Sequence, residues 1–280
     1  MVNFNGQLLE GNQHFLSGKN RGFLYGDGLF EIIRVLDGRV VFWEDHYLRL
    51  MASMRILRMQ IPMTFTMEFL QEEILKTLEN SAFKNGASIR ITVFRNEGGS
   101  YLPKSNEVSY LVEPSPLENP FYIFPESNCE VELYKDFTLS KGLLSNLRTI
   151  NRLINVLGSI YAKENHLDDC ILLNENKMVT EVLNGNIFLV KDNIIQTPPL
   201  QDGCLKGIIR KKLIEIINKW DDFELLEQSI SPFSLQQADE LFYTNSIQGI
   251  VPITKYRKKV FDKKVSQGLL GKLNAAARFS

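Results

Sequence analysis

The distribution of hydrophobic and polar residues along the chain predicts short strands that alternate with amphipathic helices. Two strand-like runs, Leu29 to Val35 and Arg39 to Trp43, flank Asp37-Gly38, where a glycine tolerates the positive φ of a tight hairpin turn. Apolar residues then recur at helical spacing in two segments. They are Tyr47, Leu50, Met51, Met54 and Leu57, followed by Met67, Leu70, Ile74 and Leu78. A hairpin followed by two helices therefore opens the first predicted domain.

Two further strands and a proline-rich segment complete this domain. Between Ser88 and Arg95 apolar and polar residues alternate, which predicts a strand with one buried face, and Val108 to Val112 is a second strand. Three prolines between residues 114 and 120 disfavour regular structure. We therefore place a linker at 114–120, between a first α/β domain at 1–113 and a second at 121–280.

The second domain begins its regular structure with a helix from Asn151 to about Glu164. One face of that helix carries Leu153, Val156, Leu157 and Ile160. Strands follow at Cys170 to Leu173, Ile187 to Val190 and Ile194 to Gln196, with turns at 174–177 and 191–193. The overall prediction is a two-domain α/β (α+β) fold.

Composition excludes several classes of function. The 280 residues contain 32 Lys plus Arg against 33 Asp plus Glu, so no global field favours nucleic acid or an anionic membrane. No segment approaches the roughly 20 apolar residues of a membrane span, and the first residues do not resemble a signal peptide. Three widely spaced cysteines suit a reduced cytoplasm, and neither His46 nor His166 has a second ligand at a convincing spacing, so no metal site is predicted.

A helix that begins at Gly207-Ile208-Ile209-Arg210 is a candidate anion site. Its first backbone N–H groups and the positive end of its dipole suit a phosphate group. The alternative is an ordinary packed helix entry, because many helices begin with glycine.

Several segments, in order over nearly the whole chain, carry a family resemblance. They are residues 19–31, 45–50, 180–181, 186–188, 205–210 and 245–252. These segments resemble fold-type IV pyridoxal-phosphate enzymes, which include branched-chain and D-amino-acid aminotransferases and aminodeoxychorismate lyase. The resemblance implies a two-domain fold-type IV architecture, a homodimer and the cofactor pyridoxal 5'-phosphate.

The resemblance also implies roles for residues that contact the cofactor. Arg49 matches the arginine that binds the phosphate, for which a guanidinium group is well shaped; taken by itself, the residue would be an exposed helix arginine. Glu181 matches the carboxylate that pairs with the pyridine nitrogen and keeps it protonated. Leu205 matches the apolar side chain that packs against the ring.

The remaining phosphate contacts are implied at two loops. The N–H groups of Ile208 and Ile209 are expected to reach the phosphate, but Ile209 lacks the threonine hydroxyl that the family often has there. Ser246 is a candidate for supplying a replacement hydroxyl.

The substrate side shows features of two subgroups. The segments 151–153 and 245–247, including Asn245, are similar to the lyase, which forms 4-aminobenzoate and pyruvate, whereas Phe30-Glu31 is similar to the aminotransferases. Arg95 resembles an arginine near the substrate and could bind a carboxylate, or it could be a solvated residue at a strand end. Small amino acids or aminodeoxychorismate are the implied substrates.

Arg148 stands where the resemblance places the lysine that bonds covalently to the cofactor. A guanidinium group stays protonated and offers no free amine, so it replaces a lysine poorly. Lys141, Lys163 and Lys206 are weaker candidates for the missing amine. Three interpretations remain open: noncovalent cofactor binding with little turnover, catalysis with another acid-base group, and an engineered change in an ordinary enzyme. A catalytically silent relative that has kept the scaffold is the competing class.

Overall fold

The computed structural model describes residues 1–11, 13–83, 86–119 and 121–280. The chain forms two compact units. Unit 1 comprises Met1–Phe121, Arg148–Asn151 and Ser280, and unit 2 comprises Tyr122–Leu147 and Arg152–Phe279. The change of unit therefore falls between Phe121 and Tyr122, and the return of residues 148–151 to unit 1 was not predicted. Pro120, within the predicted linker, lies outside the described residues.

Unit 1 is built on an antiparallel sheet with two longer helices. Its strands are β1 (Val2–Phe4), β2 (Gln7–Leu9), β3 (Gly28–Leu36), β4 (Arg39–Val40), β5 (Ala87–Arg95) and β6 (Val108–Pro116). Its helices are α1 (Arg21–Tyr25), α2 (Trp43–Ile56) and α3 (Met67–Glu79). The strand order is β2-β1-β6-β5-β3-β4.

The predicted hairpin is confirmed at its turn but not along its second strand. Asp37 and Gly38 both have positive φ, 47° and 75°, as a tight hairpin turn requires. The predicted strand from Arg39 to Trp43 is wrong beyond Val40, because Phe42 has a φ of 53° and α2 begins at Trp43. The backbone reverses at Phe42, and this reversal is what brings α2 onto β3.

The two faces of the sheet in unit 1 differ in chemistry. Ile33, Ile89 and Ile91 are fully buried on the face that receives α2 and α3, as the alternation in β5 predicted. The opposite face, here called the polar face, carries Phe30, Arg90, Thr92 and Glu113, which the strand register places on neighbouring positions.

The predicted linker is wrong at its start, because Pro114 and Pro116 belong to β6. Ala87 of β5 still pairs with Pro116, whereas β1 pairs with β6 only at Leu111 and Val112. Beyond Val112 that edge of β6 has no β1 partner, so the proline nitrogens, which cannot donate, lie on an edge that needs no donor.

Unit 2 contains two five-stranded sheets and several helices. Its strands are β7 (Glu130–Leu139), β8 (Asp169–Asn174), β9 (Val179–Val182), β10 (Asn186–Lys191), β11 (Ile194–Thr197), β12 (Glu224–Glu227), β13 (Glu240–Asn245), β14 (Gly249–Ile253), β15 (Lys255–Tyr256) and β16 (Lys259–Val260). Its helices are α4 (Leu153–Glu164), α5 (Ile208–Ile217), α6 (Pro232–Gln237) and α7 (Lys264–Arg278). The orders are β12-β11-β10-β13-β14 and β16-β15-β7-β8-β9, and β8, β10 and β11 follow the predicted pattern.

Helix α4 begins at Leu153, two residues after the predicted start, and turns an apolar face outward. Leu153, Val156 and Ile160 are 69%, 53% and 49% exposed. The residues that pack onto unit 2 are instead Ile154, Leu157, Tyr161 and Ala162, next to Leu172. The helix therefore has apolar residues on both sides, and one stripe has no cover within its own unit. Nowhere in the described chain is there a helix long and apolar enough to cross a membrane.

Candidate functional site

The start of α5 in unit 2 is an open cradle of backbone N–H groups. Gly207 is the N-cap and no side chain caps the helix, so the N–H groups of Ile208 and Ile209 have no acceptor within it. A Cβ atom at Gly207 would lie 2.0 Å from Asn186 Oδ1, so this position accepts only glycine without movement of its neighbour. This geometry is that of a helix N-terminus prepared for an anion.

The segment that leads into this helix is fastened by two buried side chains. Glu181, 5% exposed on β9, accepts a hydrogen bond from the Leu205 N–H over 2.7 Å. Asn186 Nδ2 donates to the Leu205 carbonyl over 2.8 Å. The structure therefore brings Glu181, Leu205 and Gly207 together, as the sequence resemblance implied.

The loop between β13 and β14 is organised by Asn245. Its Oδ1 accepts hydrogen bonds from the N–H groups of Ile247 and Gln248, at 3.0 and 2.8 Å. The hydroxyl of Tyr122 donates to the Ser246 carbonyl at 3.3 Å. Because Asn245 uses its side-chain oxygen to hold the turn, its evident role is to shape the loop that presents Ser246.

In unit 1, Arg49 is held by a buried carboxylate. Its Nε and Nη2 donate to the two oxygens of Glu31, at 2.8 and 2.5 Å, and His46 Nδ1 lies 2.7 Å from the same carboxylate. All three side chains are buried, Arg49 at 9% exposure. Glu31 therefore fixes the plane of the Arg49 guanidinium group.

This cluster has strongly perturbed ionisation. Burial opposes charge on Glu31, but Arg49 and His46 outweigh it and lower the Glu31 pKa to about 2. The His46 pKa is lowered chiefly by burial, with further contributions from Arg49 and Arg148, against the raising effect of Glu31. Glu31 is therefore ionised at neutral pH, and His46 is a neutral imidazole.

Arg148 lies beside the first residues of β3. The Phe30 N–H donates to the Arg148 carbonyl at 2.9 Å, and Ile150 N–H donates to the Gly28 carbonyl at 3.1 Å. The Arg148 guanidinium carbon is 4.6 Å from the centre of the Phe30 ring, within cation–π distance. The structure thus brings two of the predicted residues, Phe30 and Arg148, into contact.

Arg95 is engaged in a structural network of unit 1. Its Nε donates to Asp27, its Nη1 to the Arg58 carbonyl and to Asn106, and its Nη2 to the Leu57 carbonyl. The side chain is 6% exposed. A substrate carboxylate would have to displace one of these partners, so the geometry favours a structural role for this residue.

The comparisons with known proteins agree with this arrangement. Residues 28–256 match the sequence profile of the family described as amino-transferase class IV, which is more than half of the chain. The chain belongs to the class IV aminotransferase family. The expected two-domain α/β architecture of fold-type IV enzymes is confirmed by solved structures of that fold.

Two curated class IV relatives and one solved structure illustrate the likeness. A putative branched-chain-amino-acid aminotransferase of Methanocaldococcus jannaschii is 30% identical over 94% of this chain and 90% of its own length. Aminodeoxychorismate lyase of Vibrio harveyi is 26% identical over 84% of this chain and 85% of its own. The branched-chain aminotransferase of Thermoproteus uzoniensis, solved with norvaline, superimposes with a TM-score of 0.86 at 24% identity, covering 97% and 92% of the two chains.

Class IV aminotransferases normally bind pyridoxal phosphate, and most of the residues present here fit that group. The uncapped start of α5 and the hydroxyl-bearing loop at Ser246 suit a phosphate, and the buried Glu181 carboxylate suits a protonated pyridine nitrogen. These groups all lie in unit 2.

The three lysines that the sequence offered as candidate amines do not have the environment of a reactive amine. Lys141 lies 3.7 Å from Asp202, and the side chains of Lys163 and Lys206 are exposed. Cys204 is buried, and burial raises its thiol pKa to about 12, so it is a poor nucleophile. None of these four side chains has the environment of an activated nucleophile.

Sequence reasoning missed two features of unit 1. It did not connect Glu31 with Arg49, because these residues are separated by the hairpin and meet only after α2 folds onto β3. It also passed over Arg90, whose guanidinium carbon lies 4.0 Å from the Phe30 ring centre. The alternation in β5 had placed Arg90 on the polar face, which was the available signal.

Proposed function

We propose that this protein binds pyridoxal 5'-phosphate without a covalent link and acts on small amino acids. The observation that carries the proposal is the cradle at Gly207, fastened through Leu205 to the buried Glu181 and Asn186. When bound, the cofactor supplies a ring that accepts the electrons of a substrate carbanion. Glu181 would hold the proton on the pyridine nitrogen.

The phosphate would be bound by donors of several kinds. The N–H groups of Ile208 and Ile209 lie at the helix start, and the Ser246 hydroxyl lies on a loop that Asn245 shapes. Leu205 would pack against the ring. In unit 1, Arg49 is oriented by Glu31, and this orientation depends on the Glu31 carboxylate staying ionised.

We propose further that Arg148 occupies the position of the family's lysine. Its guanidinium group cannot accept a proton from a substrate at ordinary pH, so proton transfer must use another group or proceed slowly. The positive charge beside Phe30 is nevertheless retained, and it favours anions in that part of unit 1. Turnover well below that of a lysine-bearing enzyme is the expected consequence.

The activity to assay first is aminodeoxychorismate lyase, which forms 4-aminobenzoate and pyruvate. The similarity of segments 151–153 and 245–247 to the lyase and the Vibrio harveyi relative support it. Transamination of branched-chain or D-amino acids is the second candidate, because Phe30-Glu31 and the Methanocaldococcus jannaschii relative favour it. A catalytically silent protein is the outcome if neither reaction is detected in either form of residue 148.

Absorbance and borohydride reduction test the noncovalent assignment. The protein, its Arg148→Lys variant and the control variant Arg55→Lys, which changes an exposed arginine of α2, are each titrated with pyridoxal phosphate and then dialysed. We expect saturable binding that dialysis removes in the original and control proteins. In the Arg148→Lys variant we expect visible absorbance that persists and, after reduction, a cofactor adduct mapped to residue 148.

Two results would overturn this proposal. An original protein that shows no saturable binding by equilibrium dialysis has no cofactor site of the proposed kind. An Arg148→Lys variant whose adduct maps to Lys141, Lys163 or Lys206 would place the reactive amine elsewhere. Pyruvate release and amino-group transfer are then measured with both proteins to separate the lyase from the transaminase.

We also propose that the protein assembles as a homodimer through an apolar stripe on α4. Leu153, Val156 and Ile160 are about half exposed or more, and Leu143 and Leu144 in the preceding turn are 59% and 64% exposed. An exposed apolar surface of this kind is typical of a contact between protein chains. A second copy of the same chain is the proposed occupant.

A further inference from the structure

The chain passes from one sheet of unit 2 to the other at a tight turn next to the cradle. This segment, here called the 182–185 turn, joins β9 to β10. The Val182 N–H donates to the Gly185 carbonyl at 2.9 Å, and the Gly185 N–H donates back to the Val182 carbonyl at 3.4 Å. A Cβ atom at Gly185 would lie 2.3 Å from the Thr244 carbonyl oxygen, so the turn packs directly on the backbone of β13.

The residues on either side of this turn hold the same peptide segment. Glu181, directly before the turn, accepts a hydrogen bond from the Leu205 N–H, and Asn186, directly after it, donates to the Leu205 carbonyl. Asn186 Oδ1 also lies against Gly207, where it leaves no room for a side chain. A displacement of the turn would therefore move both anchors of Leu205 together with the approach to α5.

Asp169, the first residue of β8, holds the turn through both oxygens of its carboxylate. Its Oδ1 accepts hydrogen bonds from the N–H groups of Cys170 and Leu183, at 2.6 and 3.0 Å. Its Oδ2 accepts from Asn184 Nδ2 at 3.0 Å. From the side of α4, Asn155 Nδ2 donates to the Leu183 carbonyl at 2.8 Å. A strand and a helix therefore fix the turn from two directions.

A carboxylate in this place carries a cost that an amide would avoid. Asp169 is 1% exposed, no cation of the described residues forms an ion pair with it, and burial raises its pKa to about 6. The nearby titratable groups give no compensation. Asp168 is also acidic, and the pKa values of Cys129 and Tyr243 are raised by burial and further by the Asp169 charge. An asparagine has only one accepting atom, so only a carboxylate accepts donors at both positions.

We propose that Asp169 is a positioning residue, whose carboxylate fixes the 182–185 turn and thereby the places of Glu181 and Asn186 at the cradle. This inference rests on the proposed function in one respect, that the cradle holds the cofactor. Asn155 supports the same turn from α4, so its removal should loosen the cradle without any change of charge.

Labelling of Cys204 tests this geometry without cofactor. Cys204 directly precedes Leu205 and is fully buried, so a thiol reagent reaches it only when this segment loosens. The proteins are treated with N-ethylmaleimide at pH 7.5, and the labelled cysteine is identified by peptide mass spectrometry. We expect Asp169→Asn and Asn155→Ala to be labelled at Cys204 about 5- to 20-fold faster than the original protein.

Matched controls separate a local effect from general destabilisation. Asp192→Asn makes the same chemical change in the exposed turn after β10, and Asn165→Ala removes an exposed asparagine at the end of α4. Both should be labelled at Cys204 at the original rate. In Asn155→Ala the faster labelling should be confined to Cys204, whereas general destabilisation would accelerate labelling of Cys129 as well.

Equilibrium dialysis with pyridoxal phosphate measures the consequence for the cofactor. At pH 7.5, Asp169→Asn should raise Kd about 5- to 20-fold. In the double variant Asp169→Asn/Asn184→Asp the amide and the carboxylate exchange places, so their hydrogen bond is restored with reversed polarity and Kd should return to within about threefold of the original.

The pH profile of this Kd separates the carboxylate from a merely structural side chain. The ratio of Kd between Asp169→Asn and the original protein should fall toward one at pH 5. At that pH the carboxyl of the original protein, with its pKa of about 6, is protonated and has lost the same acceptor strength. Titration of the cofactor phosphate affects both proteins equally and cancels in the ratio.

The outcomes are distinguishable from those of the proposed function. Unchanged Cys204 labelling in both Asp169→Asn and Asn155→Ala would overturn the proposal, as would equal acceleration of Cys129 in Asn155→Ala or a Kd ratio that is the same at pH 5 and pH 7.5. If Asp169→Asn does not fold, Asn155→Ala decides by its labelling and its Kd. Faster Cys204 labelling in variants of a protein that binds no pyridoxal phosphate would support the positioning role while refuting the proposed function.

Discussion

Removal of the Glu31 carboxylate should destabilise unit 1 strongly. Glu31→Gln keeps the shape of the side chain but removes the negative charge that faces the buried Arg49. The Glu31 pKa is about 2 in the folded protein against an ordinary 4.5, and a shift of about 2.5 pH units corresponds to about 3 kcal/mol. Removal of one partner of a buried ion pair costs roughly 3–5 kcal/mol, which agrees with this figure.

The sign of the pH dependence follows from the direction of the shift. A carboxyl whose pKa is lowered by folding stabilises the protein fully above its unfolded pKa of about 4.5, and loses that contribution as the pH falls toward 2. The difference in unfolding free energy between the original protein and Glu31→Gln should therefore be constant from pH 7 to pH 5. It should then shrink as the pH approaches 2.

Urea unfolding followed by circular dichroism measures this difference at pH 7, 5, 4 and 3. Glu72→Gln, at an exposed position of α3, is the matched control and should change stability by less than about 0.5 kcal/mol. The expected loss for Glu31→Gln at pH 7 is about 3 kcal/mol, or roughly 5 to 10 °C in Tm. A loss below about 1 kcal/mol, or a difference that does not shrink below pH 4.5, would refute the assigned ion pair.

Three further predictions concern unit 2. Gly207→Ala should weaken pyridoxal phosphate binding by about tenfold or more in equilibrium dialysis, because its Cβ would displace Asn186 from the cradle; unchanged affinity would argue against the phosphate site. Burial raises the pKa of Asp169 to about 6. As the pH rises from 4 to 7, the original protein should therefore lose about 3 kcal/mol of unfolding free energy relative to Asp169→Asn. A difference in unfolding free energy that stays constant with pH in urea unfolding would contradict this. Val156→Asp should shift the protein toward monomer in analytical ultracentrifugation, whereas Lys163→Asp, an exposed charged position of the same helix, should not.

The fold was predictable where one local signal dominated. Asp37-Gly38 identified the hairpin, and the alternation of Ile89, Ile91 and Val93 identified the buried face of β5, because periodicity reports burial directly. The prolines at 114 and 116 led to the wrong start of the predicted linker. A sequence alone does not reveal which edge of a strand lacks a partner and can therefore accept proline. The same reasoning explains why the outward stripe of α4 could not be distinguished from a core face.

The sequence did not predict the contacts that the candidate site residues make. Glu181 on β9 meets Leu205 and Gly207 of the segment before α5, because the Leu205 N–H donates to the Glu181 carboxylate. Arg49 and Arg95 are buried, although their places on a helix and at a strand end suggested exposure to solvent. Each is held by an acidic partner far away in sequence, Glu31 and Asp27, and only tertiary structure supplies such pairings.

The charges around Arg148 bear on whether an amine could work at its position. The Arg90 guanidinium group lies against the same phenyl ring. Burial is the main cause of the lowered His46 pKa, and the positive charges of Arg49 and Arg148 lower it further. A lysine placed in this potential would lose its proton more readily than a solvated lysine, because a neutral amine avoids repulsion from the neighbouring cations. The electrostatic environment therefore already favours a nucleophilic amine at residue 148. Arginine cannot become such a nucleophile, because its guanidinium group stays charged. The same positive potential therefore favours an anion instead.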